Sequence, residues 1–567
     1  MQRRWVLATT EAASDNGIVW PEICDFPCIA ELLKRKGFRN TDEVRAFLQP
    51  RLSALSDPFL LSGMEAAVGR VFRALDNRER IVLFGDYDVD GVTSLTLLYE
   101  MLCGFGVTPE LFLPLRIEEG YGLSRESVER CWERHRPQLL IAVDCGTSSA
   151  SEIRSLKDRG VDVIVLDHHE PKFRLPECAA VVNPKVTLNG PFHYLCSAGL
   201  AFKLCHAMLK TRRGSAFDLK ASLELVALGT VADLVPLQEE NRIFVRCGVR
   251  EIEKSKRPGL RKLMEVAAVR VPIRAEDIAY RLGPRLNAAG RLSTAERALR
   301  LLLTKDEEEA TELAALLDAE NRERQCVEKR INNEVEIELG KCYRPGNDAG
   351  IVVGARDWHP GVIGIIASRI ARKYHRPTIV IAFDSEGVGK GSGRSVEGFS
   401  LIEALERCQP WLEKFGGHEM AAGLTMCEAN LPRFIEAFGE AAHSLTKPEN
   451  VQPRLRLEHE LSFPELTNEL LHWHQVLEPF GNGNRIPLFL ARAIEPVTEP
   501  QVLKEKHLVL RLRQKKSHRR AIFFDGALEP LPSPPWDMAF RIHADVYQGE
   551  TRLQIQVEAL REAAPII

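Results

Sequence analysis

Between residues 80 and 185, short apolar runs alternate with stretches of helical periodicity. Ile81-Val-Leu-Phe84, Glu110-Leu-Phe-Leu113, Leu139-Leu-Ile-Ala-Val143 and Val161-Asp-Val-Ile-Val-Leu166 have strand length and little polar interruption. Ser94–Cys103, Arg125–Arg134 and Ser149–Lys157, which separate them, carry the spacing of amphipathic helices. Strands buried on both faces read as continuous apolar runs, so the pattern predicts a parallel sheet flanked by helices, an α/β domain over 76–304 whose part from 197 is mainly helical. Residues 22–75 read as helical, with a capping box at Asn40-Thr-Asp-Glu43, and 1–75 is expected as an N-terminal helical segment. Leu313, Leu317, Val327, Ile331, Val335 and Leu339 recur at helical spacing amid dense charge, which predicts one long connecting helix over 305–343. A second α/β pattern fills 344–448. Beyond Pro448 the period becomes two: Leu508-Val-Leu-Arg-Leu-Arg513 and Ala521-Ile-Phe-Phe524 form a hairpin signature, and a small β-barrel is expected for 449–567.

The 567-residue length agrees with several domains, since a domain averages about 150 residues. Charge changes the picture more. Lys and Arg number 76 against 79 Asp and Glu, a net of −3, which excludes a protein that coats nucleic acid by bulk positive charge. If the substrate is a polyanion, local basic patches or bound cations must attract it. No run approaches the ~18 apolar residues of a membrane span, and the apolar stretch after Arg3-Arg4 is too short for a secretory leader. The 13 cysteines are scattered without a C-x-x-C pair, so reduced thiols and a cytoplasmic location are expected.

Candidate chemistry concentrates at the predicted strand ends. Gly85-Asp86-Tyr-Asp88-Val-Asp90-Gly91 places carboxylates at i, i+2 and i+4, which share one face if the segment is extended. Crowded carboxylates repel unless a cation binds them. A calcium loop would need an acid at its twelfth position, which is Leu97, and a D-x-D-G-T phosphatase motif is out of register because Val92 precedes Thr93. An Asp-rich turn is the bland alternative. Two more runs end alike, in Asp144 and in Asp167-His168-His169, and ligands of open parallel sheets bind beyond the carboxyl ends of strands. Asp233 is a lone acid in the apolar run Leu228–Pro236. Oxygen-rich ligands with one or two imidazoles suit Mn²⁺ or Mg²⁺ rather than structural Zn²⁺. So many acids imply two ions, with Asp144 as a plausible bridge, and hence a metal-dependent phosphohydrolase.

The order Asp86-x-Asp88-x-Asp90-Gly91, Asp144-x-Gly146, Asp167-His168-His169 and Asp233 resembles the DHH phosphoesterase superfamily. Four later segments resemble its RecJ branch of single-strand-specific 5′→3′ exonucleases. They are Arg281–Arg291, Trp358–Gly364, Gly391–Ser395 with Phe415–Gly423, and Glu478–Asn484 at the entry to an OB-fold. Pro360 departs from the Glu expected in the W-H-x-G-V-I-G motif. The resemblance implies a DHH catalytic domain, a DHH-associated domain and a C-terminal OB-fold barrel, releasing 5′-mononucleotides in DNA repair and recombination.

It also implies roles. One ion would take Asp86, Asp88 and Asp144; the other would take Asp90, Asp144, His168 and Asp233. His169 would face phosphate or handle a proton, with Asp167 orienting a histidine. Arg285, Asn287 and Arg291 are candidates for the scissile phosphate. Arg116, Ser392 and Arg394 are candidates for a pocket holding the 5′-terminal phosphate. Tyr121 would stack a base or narrow the entrance, and His418 would touch phosphate. Residues 501–520 carry eight Lys and Arg, including Arg511, Arg513, Lys515 and Lys516, against one Glu, a net of +7. Such a hairpin is either a solvated, edge-protecting surface or a basic groove for single-stranded DNA. A monomer is expected, with a single-strand-binding protein and a helicase as candidate partners. A DHH enzyme for cyclic dinucleotides and a non-catalytic DNA-binding relative are the rival readings.

Overall fold

The computed structural model describes residues 3–8, 26–38, 40–115, 119–171, 174–187, 190–292, 294–447, 452–547 and 550–563. They divide into two units, one built from residues 55–235 and 247–453, the other from 3–54, 236–246 and 454–567. No helix among the described residues is long and apolar enough to cross a membrane. The twelve described cysteines are all free thiols.

The first unit holds two sheets. Strands β1 (Ile81–Gly85), β2 (Glu110–Phe112), β3 (Leu139–Val143), β4 (Asp162–Leu166) and β5 (Ala180–Val182) pair in parallel in the order β2-β1-β3-β4-β5. Every residue of β1 and β3 is buried, which is why both read as uninterrupted apolar runs. The three-residue β5 lacks such a signature. Helix α1 (Val89–Gly104) begins five residues before the Ser94 expected from periodicity. The Asp88 side chain explains this by accepting the amides of Asp90 (2.9 Å) and Gly91 (3.2 Å), an N-cap that starts the helix early. The three acids therefore do not lie along one extended face: Asp86 and Asp88 precede the helix, and Asp90 sits in its first turn. Gly91 is required here, because a Cβ would lie 2.4 Å from the Asp86 carbonyl oxygen.

Helices α2 (Ser197–Thr211), α3 (Leu223–Ala232) and α4 (Gly283–Leu292) follow. The expected long helix is α5 (Glu307–Cys342), 36 residues and about 54 Å at 1.5 Å per residue. Its apolar stripe is ragged for a reason. Asp318, Glu320, Asn321, Arg324 and Glu328 are buried along its middle, where Asp318 pairs with Arg285, Glu320 with Arg297, and Glu328 with Arg324 and Arg369. The second sheet comprises β6 (Ile351–Arg356), β7 (Thr378–Phe383), β8 (Val388–Arg394), β9 (Lys414–Gly417) and β10 (Ala421–Cys427), in the order β9-β10-β8-β7-β6. Only β6 and β7 pair in parallel in this sheet, and α6 (Ile363–Tyr374) connects them.

The second unit contains β11 (Phe489–Pro496), β12 (Gln501–Leu503), β13 (His507–Gln514), β14 (Ser517–Phe523), β15 (Trp536–Tyr547) and β16 (Glu550–Glu562). The order β11-β15-β16-β14-β13, with β11 pairing again to β13 through Glu495↔Arg513, closes five strands into a barrel. Phe489, Leu510, Leu512, Met538, Phe540 and Ile555 fill its interior. Ile29, Leu33, Val44 and Leu48, from the helices Pro27–Arg35 and Thr41–Leu48, belong to the same core. The N-terminal helices are thus part of the barrel unit, whereas the helix Met64–Asp76 lies in the first unit. Buried Arg242 reinforces the second unit: its guanidinium stacks 3.7 Å over the Phe47 ring and donates to the Phe47 and Glu478 carbonyls.

Candidate metal centre and its surroundings

Asp86, Asp144 and Asp167-His168-His169 lie directly beyond the carboxyl ends of β1, β3 and β4, where the parallel register brings them together. Asp233 joins them from the C-terminal end of α3. Ligand atoms of Asp86, Asp88 and Asp144 lie within 4.8 Å of one another, as do those of Asp90, His168 and Asp233, and those of Asp144, His168 and His169. The buried His168 Nε2 is 3.3 Å from Asp144 Oδ1, 3.5 Å from Asp233 Oδ2 and 3.8 Å from Asp90 Oδ2. It forms no hydrogen bond with any of them. These are separations of donors arranged around a shared cation, and oxygen with imidazole is the donor set that Mn²⁺ and Mg²⁺ accept.

Electrostatics agree. Burial and the neighbouring Asp88 carboxylate push the Asp90 carboxyl up to about 6. Burial and surrounding acids hold Asp144 and Asp233 well above the usual carboxylate range. Burial and the charge of His169 push His168 down to about 3, which leaves its imidazole neutral, as a metal ligand must be. Asp167 goes the other way. Burial opposes its ionisation, but the His169 hydrogen bond and charge and the Thr147 amide hold it well below the ordinary value. Its Oδ1 lies 2.7 Å from His169 Nδ1, and the His168 amide (2.8 Å) and His169 amide (3.1 Å) donate to the same oxygen. Asp167 therefore orients His169 rather than joining the ligand groups, and despite burial this bond raises the His169 pKa.

Asp144 occupies left-handed backbone (φ +64°), with its amide donating to Leu166 O and its carbonyl accepting the Tyr121 hydroxyl at 2.6 Å. That hydroxyl also lies 3.1 Å from His169 Nδ1 and 3.2 Å from Nε2, so Tyr121 stands at the centre's edge.

The α4 residues are committed to protein contacts. Asn287 Oδ1 accepts the Val89 amide at 3.1 Å. Arg285 pairs with Asp318 at 2.9 Å and donates to Arg281 O, and Arg291 donates to Gly361 O at 3.1 Å. Ser392 and Arg394 come together on β8, Arg394 Nη1 lying 3.1 Å from Ser392 Oγ. Gly364 lies beside both, since a Cβ there would be 3.0 Å from Ser392 Oγ and 3.2 Å from the Arg394 guanidinium. His418 is exposed beyond β9. Arg116 lies outside the described residues. Arg511, Arg513, Lys515 and Lys516 belong to the barrel unit and are exposed on the β13–β14 hairpin.

Four supporting residues escaped sequence reasoning. The Ser197 and Ala198 amides donate to the two Asp90 oxygens, Thr147 donates to Asp167, and Asn183 Nδ2 donates to Thr147 Oγ1 and the His169 carbonyl. The bonds to Asp90 and the Thr147 bond to Asp167 come from backbone amides, which no side-chain pattern reports. Asn183, at the end of the short β5, offered only a lone polar residue as a signal.

Fold and site together define a DHH-type metal-dependent phosphoesterase with an appended barrel. Family models agree: the DHH family N-terminal domain matches residues 80–230, the DHHA1 domain 347–444 and the RecJ OB domain 457–559. The chain belongs to the RecJ family. It is 36% identical over 505 residues to the single-stranded-DNA-specific exonuclease RecJ of Bacillus subtilis (strain 168), covering 88% of this chain and 63% of that protein's length. It is 34% identical over 560 residues to that of Dickeya dadantii (strain 3937), covering 94% of this chain and 95% of the other. The crystal structure of Thermus thermophilus RecJ in complex with Mn²⁺ superposes with a TM-score of 0.82 at 31% identity, over 99% of this chain and 80% of that one. The Mg²⁺ complex of the same protein gives 0.76 at 29% identity, over 100% and 79%.

Proposed function

We propose that this protein is a metal-dependent exonuclease that degrades single-stranded DNA from the 5′ end and releases 5′-mononucleotides, in DNA repair and recombination. The observation that carries this reading is the pair of donor groups, Asp86/Asp88/Asp144 and Asp90/His168/Asp233, with Asp144 between them. Divalent ions held there would supply Lewis-acid activation of water and neutralise charge on the phosphate. One ion would lie among Asp86, Asp88 and Asp144, the other among Asp90, Asp144, His168 and Asp233.

The protein's own groups do the rest. His169, held by Asp167, would face the phosphate or handle a proton. Arg285 uses Nε and Nη1 in its bonds to Asp318 and Arg281, and Nη2 takes part in neither, so it is our candidate for the scissile phosphate. Asn287 and Arg291, which also hold the Val89 amide and the Gly361 carbonyl, would be further candidates for the scissile phosphate. Ser392 and Arg394, with Arg116, would form the pocket for the terminal 5′-phosphate. Tyr121 would pack against the terminal nucleotide, and His418 would add a phosphate contact.

On the barrel hairpin, Arg511 stands directly opposite Arg520, both exposed, while Arg513 pairs with Glu495. Like charges facing each other across a strand pair are unfavourable unless a polyanion lies over them, which supports binding of the DNA backbone. We place the protein in the cytoplasm as a monomer that meets its substrate alongside a single-strand-binding protein and a helicase. Incubation with Mn²⁺ and end-labelled single-stranded DNA tests the reading. Labelled mononucleotide should appear at once from the 5′-labelled strand and late from the 3′-labelled one, and Asp144→Ala should abolish both while single-strand binding persists. Hydrolysis restricted to cyclic dinucleotides, or early release from the 3′ end, would overturn it.

A further inference from the structure

We propose that Ser197 is a positioning residue of the metal centre: its hydroxyl sets the rotation of the shared Asp144 carboxylate while the start of α2 clasps Asp90. The inference rests on the two-ion reading above. Ser197 is fully buried, and its Oγ donates to Asp144 Oδ1 at 2.9 Å. That oxygen is the one 3.3 Å from His168 Nε2. The Asp144 backbone is pinned on both sides, by Leu166 O at its amide and by the Tyr121 hydroxyl at its carbonyl, in a left-handed conformation. The softest remaining freedom is rotation of the carboxylate about its terminal bond, a broad torsion for aspartate. Among the described residues, the hydrogen bond this carboxylate accepts is the one from Ser197. It commits Oδ1 to the His168 side, and Oδ2 accepts no hydrogen bond among the described residues.

Helix α2 makes this possible. A serine in a first turn ordinarily serves its own helix amides. Here Asp90 does that work, accepting the Ser197 amide on Oδ2 (2.7 Å) and the Ala198 amide on Oδ1 (2.8 Å). A carboxylate at a helix N-terminus is electrostatically favourable, and the Ser197 hydroxyl is left to reach Asp144. Gly229 keeps the clasp clear, since a Cβ there would lie 2.8 Å from Asp90 Oδ1 and 2.7 Å from the Ala198 Cβ. One turn of α2 thus fixes one carboxylate of a single donor group and the carboxylate that two groups share.

The test reads the ions directly. Mn²⁺ titration of the full-length protein, followed by calorimetry and electron paramagnetic resonance, should find two ions per wild-type chain with an exchange-coupled spectrum, the signature of a bridging carboxylate. Ser197→Ala should weaken the second binding event about 10–100-fold, the usual effect of losing a ligand's hydrogen-bond partner, and replace the coupled spectrum by that of isolated Mn²⁺. Ser197→Thr should restore coupling. A serine that merely fills space predicts Ser197→Ala with wild-type stoichiometry, affinity and coupling, and that result would overturn the proposal. If Ser197→Ala fails to fold by circular dichroism, Ser197→Cys, similar in size but a weak donor, carries the same comparison. Fewer than two ions on the wild-type chain would instead count against the two-ion reading itself.

Discussion

Asn287 Oδ1 accepts the amide of Val89, 198 positions earlier in the chain, at 3.1 Å. The bond ties α4 to the first residue of α1, between Asp88 and Asp90. Gly290, one turn further along, lets the Tyr87 carbonyl approach, because a Cβ there would lie 2.7 Å from that oxygen. Asn287→Ala strands the Val89 amide, and an unmet buried donor costs about 1–3 kcal/mol. We expect a lower thermal midpoint and weaker Mn²⁺ binding, both measurable by differential scanning fluorimetry with and without Mn²⁺. Unchanged Mn²⁺ affinity would show that the carboxylate loop keeps its shape without this anchor.

Metal binding should compete with protons. Without an ion, Asp90 titrates at about 6, and Asp144 and Asp233 are also raised, so in mildly acidic solution the site holds protons that a cation must expel. His168, pushed down to about 3, stays neutral above pH 5 and adds nothing to this dependence. Affinity for Mn²⁺ should therefore fall as pH drops from 7.5 to 5. The stability consequence has a definite sign. A carboxyl raised in the folded state binds its proton more tightly there than in the unfolded chain, so its contribution to metal-free stability is lost as pH rises through the folded value. The increase in thermal midpoint on adding Mn²⁺ should be larger at pH 7.5 than at pH 5.5. An equal increase at both would mean that these acids are already ionised in the metal-free protein.

Much of this centre was legible in the sequence because its acids end continuous apolar strands, and a parallel sheet leaves few places for a strand-end carboxylate to point. Asp86 and Asp144 are of that kind, and His168 follows one residue after the strand-end Asp167. What stayed hidden depends on partners distant in sequence. The early start of α1 comes from Asp88 acting as its cap, a choice between loop and helix that the D-x-D-x-D spacing leaves open. The clasp on Asp90 uses amides 107 and 108 residues away. The polar middle of α5 made a single long helix look irregular, because its buried acids face Arg285, Arg297 and Arg369 rather than apolar side chains. The union of the first two helices with the barrel core rests on packing between residues more than 400 positions apart, beyond any local period.

Arg285 should depend on Asp318 for its aim. Asp318 is buried and Arg285 half-buried, with side-chain exposures of 7% and 16%, and Arg322 also bonds Asp318. Asp318→Asn keeps the shape but weakens the hold on the guanidinium. We expect kcat/KM to fall about tenfold with Mn²⁺ stoichiometry unchanged, and Arg285→Ala combined with Asp318→Asn to be no worse than Arg285→Ala alone. Such non-additivity, typically 0.5–3 kcal/mol for residues in contact, is measured by a double-mutant cycle on both kcat/KM and thermal midpoint. Additive losses in kcat/KM would separate Arg285 from Asp318 functionally.

The barrel hairpin should bind DNA through charge and little else. Arg511 and Arg520 face each other across β13 and β14, both exposed, and Lys515 and Lys516 form the turn beyond them. Relieving the repulsion by Arg511→Gln should leave the isolated fold as stable as before, or slightly more so, since like charges directly opposed across strands destabilise. Binding should move the other way. Removing one cation from a phosphate lowers the slope of log affinity against log salt by about 0.7 on a single strand. Arg511→Gln with Lys516→Gln, two cations removed, should therefore flatten that slope by about 1.4. Affinity should fall most at low salt, while Mn²⁺ binding at the metal centre stays intact. Fluorescence anisotropy across a salt series measures the slope, and an unchanged slope would assign this face to solvent rather than to DNA.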